Sequence, residues 1–276
     1  WETIRDLKDG LEEKVALRTK ELEEALTERN QALAHLNQEL AEATEYVRSI
    51  LPQPISHGEI RINWKFVPSA SLGGDAFGYY NLDEDHFVLY LIDVSGHGVG
   101  PAILMAFLHA HLRSLADVHT DLSELIVQAN NLLERESPDQ HFVTMLAAKF
   151  DFQTRTMAYV RCGHPPGFIM SAGGDVRVWM EEGSLPLGIM PDTQFPCSAP
   201  IQFHSGDIVV MVTDGILEAF SPEHVQFGIE RTVQLVREHR EQPAARIIEA
   251  LRKAVGDYTA RSGLSDDLTL VVIKVE

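Results

Sequence analysis

Between Leu89 and Gly100 the chain reads Leu-Tyr-Leu-Ile-Asp-Val-Ser-Gly-His-Gly-Val-Gly. This stretch restricts the fold more than any other. It opens as an unbroken apolar run, the pattern of a strand buried on both faces. It then breaks into Gly96, Gly98 and Gly100, with one carboxylate, Asp93, at the break. A helical pattern follows from Pro101 to Leu115, and proline suits a first helical turn, where its missing N–H is not needed. One acid is thus fixed at the end of a rigid strand, beside a loop where backbone can approach a ligand closely. Proteins hold metals and phosphates in this way.

Other acids occupy similar places. Asp75 follows Gly73-Gly74, Asp214 closes the apolar run Ile208–Thr213 and precedes Gly215, and Asp266 and Asp267 precede the run Leu268–Ile273. An Asp beside Gly is ordinarily just a turn residue. Acids at several strand ends, far apart in sequence, instead ask for one centre. Clustered carboxylates repel, by about 4 kcal/mol per pair at ~4 Å and an effective dielectric of ~20. They therefore need cations, and oxygen-only donors suit hard ions such as Mg²⁺ or Mn²⁺. No His/Cys set stands at zinc spacing. Two such ions ~3.5–4 Å apart share and activate a water, aim it at phosphorus and neutralise the transferring phosphoryl group. Such chemistry needs no Ser or Cys nucleophile.

The 276 residues suffice for one large domain and an extra element, and 45% are apolar, enough for a real core. A net charge of −18 argues against nucleic acid and against an anionic membrane surface. Two cysteines, Cys162 and Cys197, make no disulfide framework, so a cytoplasmic setting is expected. The sequence reading finds no apolar run near the ~20 residues of a membrane span and no signal peptide. The chain begins at Trp1 rather than Met, and is read as a fragment whose upstream sensor or receiver domain lies outside it.

Residues 1–51 read as one long helix, free of proline and dominated by Glu, Leu, Ala and Gln. Val15, Thr19, Leu22, Leu26, Arg29, Leu33, Leu36, Leu40, Ala43, Val47 and Ile50 keep a 4-3 spacing. Two readings compete: a single amphipathic helix lying on the domain, or a coiled coil that forms a homodimer. The narrow stripe, flanked by charge, favours the coil. Leu51-Pro52-Gln53-Pro54 ends the helix, and residues 52–276 form the globular domain. Strands are expected at 60–67, around 79–80, 86–92, 143–152, 157–162, 167–171, 176–180, 208–213 and 268–274. Helices are expected at about 101–117, 121–135, 227–239 and 243–260. Strands in runs and helices in pairs make this an α+β chain rather than a series of βαβ units.

Six motifs occur in order: Gly73-Gly74-Asp75, Asp93-Val94-Ser95-Gly96-His97-Gly98, Gly163-His164-Pro165-Pro166, Pro186-Leu187-Gly188, Thr213-Asp214-Gly215-Ile216-Leu217-Glu218-Ala219 and Asp266-Asp267-Leu268-Thr269-Leu270. Together they resemble the metal-dependent (type 2C-like, PPM) serine/threonine phosphatases, in their bacterial SpoIIE/RsbU branch, over about 52–276. The resemblance implies an αββα sandwich, two antiparallel sheets flanked by helix pairs, preceded here by the long coiled-coil helix. It implies two Mn²⁺ or Mg²⁺ ions, with Asp93 bridging both. The Val94 carbonyl and Asp75 would serve the second ion, and Asp214 and Asp266 the first, with Asp267 standing behind the ligands. Some features depart from the family. Ala76-Phe77-Gly78-Tyr79-Tyr80 lacks an acid that many relatives carry, Arg161-Cys162 precedes Gly163-His164 where Asn-Ala is common, and no phosphate-gripping Arg is found.

His97 invites a role as general acid for the leaving oxygen, against the plainer reading of a loop residue two positions out of register with the family. His164 reads as structural, and Cys162 as a small core residue. Gly96–Gly100 lacks the Lys-Ser/Thr of a P-loop. The resemblance points to hydrolysis of phosphoserine or phosphothreonine on a partner protein, a STAS-type anti-sigma-factor antagonist or similar switch, in a stress-response pathway. The alternatives are a catalytically weak scaffold that binds a phosphorylated partner, and a phosphodiesterase acting on a small nucleotide.

Overall fold

A computed structural model of the chain describes residues 2–69, 72–96, 98–116, 121–136, 141–260 and 266–276. In chain order the elements are α1 (Glu2–Ile50), β1 (Ile55–His57), β2 (Ile60–Val67), β3 (Ala76–Asn81), β4 (His86–Val94), α2 (Val99–Ala116), α3 (Leu122–Glu136), β5 (Val143–Asp151) and β6 (Thr156–Cys162). They continue with β7 (Phe168–Met170), β8 (Val176–Trp179), β9 (Ile201–Gln202), β10 (Ile208–Val212), α4 (Asp214–Leu217), α5 (Gly228–His239), α6 (Ala244–Tyr258) and β11 (Leu268–Val275). The elements read from the sequence are present within a few residues of their expected bounds. Three short ones, β1, β9 and α4, were not anticipated.

The strands form two antiparallel sheets. One has six strands in the order β1-β2-β11-β10-β7-β8, and the other has five in the order β3-β4-β5-β6-β9. The sequence explains why they stack. Successive strand side chains point to opposite faces. In β11, Val271, Ile273 and Val275 join a core shared with Phe87, Leu89 and Leu91 of β4, while Leu268, Leu270 and Val272 face the other way. That outer face packs against Ile247, Leu251 and Val255 of α6 and Val233 and Val236 of α5. On the far side, α2 lies over β3 and β4 and α3 over β6. Both faces of the central strands are buried, so their sequences read as unbroken apolar runs. The result is the expected α+β sandwich, with helix pairs outside two antiparallel sheets.

Helix α2 qualifies one expectation. It is long and apolar enough, by length and composition, to cross a membrane. Here Pro101, Ala102, Met105, Leu108 and Leu112 are buried, and the helix packs on β3, β4 and α3.

By internal contacts the chain divides into two compact units, one ending at Tyr46 and the other starting at Val47. The division falls inside α1, a little before Leu51-Pro52. In the first unit the seam residues Val15, Leu22, Leu26, Leu33 and Leu36 are exposed. Thr19 donates its hydroxyl to the carbonyl of Val15 (2.9 Å), so this polar interruption is satisfied within the helix. In the second unit Val47 and Leu51 are buried, and the Tyr79 hydroxyl donates to the carbonyl of Gln53 (3.2 Å).

Candidate metal centre

Strand phase decides where the acids point. Asp93 has the parity of Phe87, Leu89 and Leu91 in β4, so its side chain belongs to the layer between the sheets. Thr269 has the parity of Val271 and Ile273 in β11, and Thr213 that of Val209 and Met211 in β10. Asp75 has the parity of Phe77 in β3. The apolar filling of the sandwich thus ends, on one side, in polar groups contributed by both sheets.

Asp75 is buried, 1% exposed, as are Thr213 and Thr269. Thr213 Oγ1 donates to Asp75 Oδ2 (2.9 Å), and Thr269 Oγ1 donates to the same oxygen (2.6 Å). The carboxyl groups of Asp75 and Asp93 lie within hydrogen-bonding reach, and Thr144 Oγ1 donates weakly to Asp93 Oδ2 (3.4 Å). Asp267 is buried and its two oxygens are occupied. Oδ1 accepts from the N–H and hydroxyl of Ser69 (2.8 and 3.0 Å), and Oδ2 from the N–H of Gly74 (2.7 Å). Asp266 is exposed and accepts from the N–H of Asp267 (2.8 Å). The two adjacent acids therefore differ: Asp267 ties down the Gly73-Gly74 turn, and the charge of Asp266 acts on Asp93 and Asp214.

The Val94 carbonyl lies against Gly74, where an added Cβ would stand 2.8 Å from that oxygen. Val94 N–H donates back to the Gly74 carbonyl (3.3 Å). The following loop is pinned by Ser95, whose N–H donates to the Phe142 carbonyl (3.0 Å) and whose own carbonyl accepts from His141 Nδ1 (3.0 Å).

The electrostatics are those of uncompensated negative charge. Burial first, then Asp214 and Asp266, push Asp93 up to about 7. Burial and then Asp93 hold Asp75 well above the usual carboxylate range, and burial, Asp266 and Glu218 raise Asp214. Among the described residues, the charges acting most strongly on these three are all carboxylates, with no Lys or Arg among them. Among the described residues, no three His, Cys, Asp or Glu side chains are drawn close enough to hold one ion as they stand. Oxygen donors short of positive charge are nonetheless the set a hard divalent cation takes.

The other candidates separate cleanly. His97 lies outside the described residues. His164 is buried, and its Nδ1 donates to the Pro165 carbonyl (3.0 Å), a structural arrangement. Cys162 is fully buried and burial pushes its thiol up, away from the thiolate a nucleophile needs. Sequence reasoning missed Thr213, Thr269 and Ser69, although both threonines stand inside quoted motifs.

Residues 83–276 match the family described as Stage II sporulation protein E (SpoIIE). The chain belongs to the SpoIIE family. This SpoIIE-family chain is 24% identical over 243 residues to phosphoserine phosphatase RsbP of Bacillus subtilis (strain 168), an overlap covering 86% of this chain and 58% of RsbP. Among solved structures it is similar to the SiaA-PP2C domain of Pseudomonas aeruginosa, with a TM-score of 0.78 and 21% identity, covering 89% of this chain and 99% of that one. It is also similar in fold to RsbX in complex with magnesium, with a TM-score of 0.60 and 18% identity, covering 81% and 99% respectively.

Proposed function

We propose that this chain is a divalent-metal-dependent phosphatase that hydrolyses phosphoserine or phosphothreonine on a partner protein. The observation that carries the reading is that Asp93 feels the charges of Asp214 and Asp266 and lies against Asp75, all from distant segments, while among the described residues no Lys or Arg stands with the charges acting on Asp75, Asp93 and Asp214. Family membership supports it, as do a relative named phosphoserine phosphatase and a fold neighbour crystallised with magnesium.

Asp93, Asp75, Asp214, Asp266 and the Val94 carbonyl are the donors assigned to two Mn²⁺ or Mg²⁺ ions. Cations held there would activate water and neutralise charge on a transferring phosphoryl group. The protein's own contribution is to hold its donors rigid before substrate arrives. Asp75 is fixed by two hydroxyls, Asp93 by its strand, and Asp267 anchors the Gly73-Gly74 turn that lets backbone approach the Val94 carbonyl. With Cys162 buried and protonated, water rather than a side chain is the attacking group.

The substrate class proposed is a phosphorylated switch protein of the STAS-type anti-sigma-factor antagonist kind, in a cytoplasmic setting. Residues 1–51 are assigned to dimerisation and to relaying an upstream signal, and residues 52–276 to the phosphatase. What supports a relay is that Leu51 is buried and the Gln53 carbonyl accepts from Tyr79, in the strand that begins directly after Asp75.

The test of the activity is hydrolysis of p-nitrophenyl phosphate with Mn²⁺. Asp93→Asn and Asp214→Asn are each expected to lower turnover at least about 100-fold, as is EDTA on the unaltered chain. Full activity in either variant would overturn the assignment.

A further inference from the structure

We propose that Thr213 and Thr269 are positioning residues that register the two halves of the metal centre against each other through Asp75. This rests on the metal reading above and adds to it residues that hold no metal. Asp93 and the Val94 carbonyl belong to β4 of the five-stranded sheet and Asp75 directly precedes its β3; Asp214 and Asp266 flank β10 and β11 of the six-stranded sheet. Among the described residues no backbone ladder joins the sheets. Their separation is set by apolar packing, which is non-directional. A metal centre needs its donors placed within a few tenths of an ångström, so something directional must fix one half on the other.

The threonines supply that, beside the bond from Gly74 N–H to Asp267 described above. Thr269 lies in β11 and Thr213 directly follows β10, and both donate to one oxygen of Asp75, across 194 and 138 residues of sequence. They are also bonded to each other: Thr269 N–H donates to Thr213 Oγ1 (3.0 Å), and Thr213 N–H donates to the Thr269 carbonyl (3.1 Å). Thr213 Oγ1 therefore accepts from one neighbour while donating to Asp75. Its alternative acceptor, the Asp267 carbonyl, is farther away at 3.5 Å. With both hydroxyls on Oδ2, the Asp75 carboxylate plane is fixed and Oδ1 is left as the oxygen for a cation. All three residues are at most 1% exposed, so bulk water cannot take over a lost hydroxyl.

A further observation shows that the Thr213 hydroxyl has been recruited. Thr213 occupies the N-cap position of α4 in extended conformation (φ −80°, ψ 167°), where a threonine hydroxyl ordinarily accepts from a helix N–H. It makes no such bond. The group that would cap the helix points at Asp75 instead.

The test is Mn²⁺ binding by calorimetry on the full chain, with circular dichroism as the check on folding. Thr269→Val keeps shape and removes the hydroxyl; it is expected to weaken Mn²⁺ binding by about ten- to a hundredfold. Thr269→Ser restores the hydroxyl and should bind as the unaltered chain does, which a merely space-filling role would not produce. If Thr269→Val fails to fold, Thr213→Val, which leaves the Thr269–Asp75 bond in place, is judged in the same way. Unaltered Mn²⁺ affinity in a folded valine variant, alongside lost binding in Asp93→Asn, overturns the positioning role and spares the metal reading. Unaltered affinity in Asp93→Asn overturns the metal reading itself.

Discussion

His164 carries a buried imidazole nitrogen, Nε2, without a hydrogen-bond partner. Burial pushes its pKa down to about 4 and keeps the ring neutral, against the opposing pull of the bond that its other nitrogen donates to the Pro165 carbonyl. In the unfolded chain the same ring titrates at its ordinary value of about 6.5. Between these values the unfolded state takes up a proton that the native state refuses, so stability rises with pH across that window and falls as acid is added. Between pH 7 and pH 5 the loss should be about 2 kcal/mol. Urea unfolding at the two pH values checks this: His164→Gln should lose that much less than the unaltered chain, and equal losses would show that His164 contributes nothing to acid sensitivity. Among the acids, the division of labour between Asp266 and Asp267 came from the family resemblance, not from two identical neighbours in sequence. Its physical basis is in partners nearly two hundred residues away, Ser69 and Gly74.

At the level of elements, much of the fold was legible because long apolar runs carry their own period. Strands β2, β4, β5, β10 and β11 and helices α1, α5 and α6 fall close to where the sequence places them. Strand β9, of two residues, and α4, of four, are too short to show a period, and β1 is an edge strand paired only with β2. The site was half legible. Asp75, Asp93, Asp214 and Asp266 stood out as acids at element ends, whereas Thr213 and Thr269 looked like ordinary strand residues. Counting parity from the core would have found them, since each shares a face with buried neighbours. The short helix α4 has a sharp dependence of its own. A Cβ on Gly215 would run into the carbonyl oxygen of Asp267. Gly215→Ala should therefore cost at least about 2 kcal/mol through overpacking against backbone, read from the denaturation midpoint. An unchanged midpoint would mean that the 266–267 turn is not seated on α4.

For the whole molecule, the exposed seam of α1 sets the expectation. A helix of 49 residues, about 75 Å long, with Leu22, Leu26, Leu33 and Leu36 in solvent, leaves a stripe that a second copy can cover. Exposed pairs such as Lys8–Glu12 (3.2 Å) and Arg18–Glu21 (2.8 Å) add only a few tenths of a kcal/mol each. Sedimentation of the intact chain is expected to give a dimer, and Leu26→Lys with Leu33→Lys a monomer with altered phosphatase turnover. A monomeric unaltered chain would remove the coil's proposed role. The order of strands has a different outcome, felt during synthesis. Strand β11 follows all the other strands described here, yet it lies in the middle of its sheet between β2 and β10. A nascent chain must keep those two strands apart and their apolar edges sheltered until Leu268–Val275 leaves the ribosome.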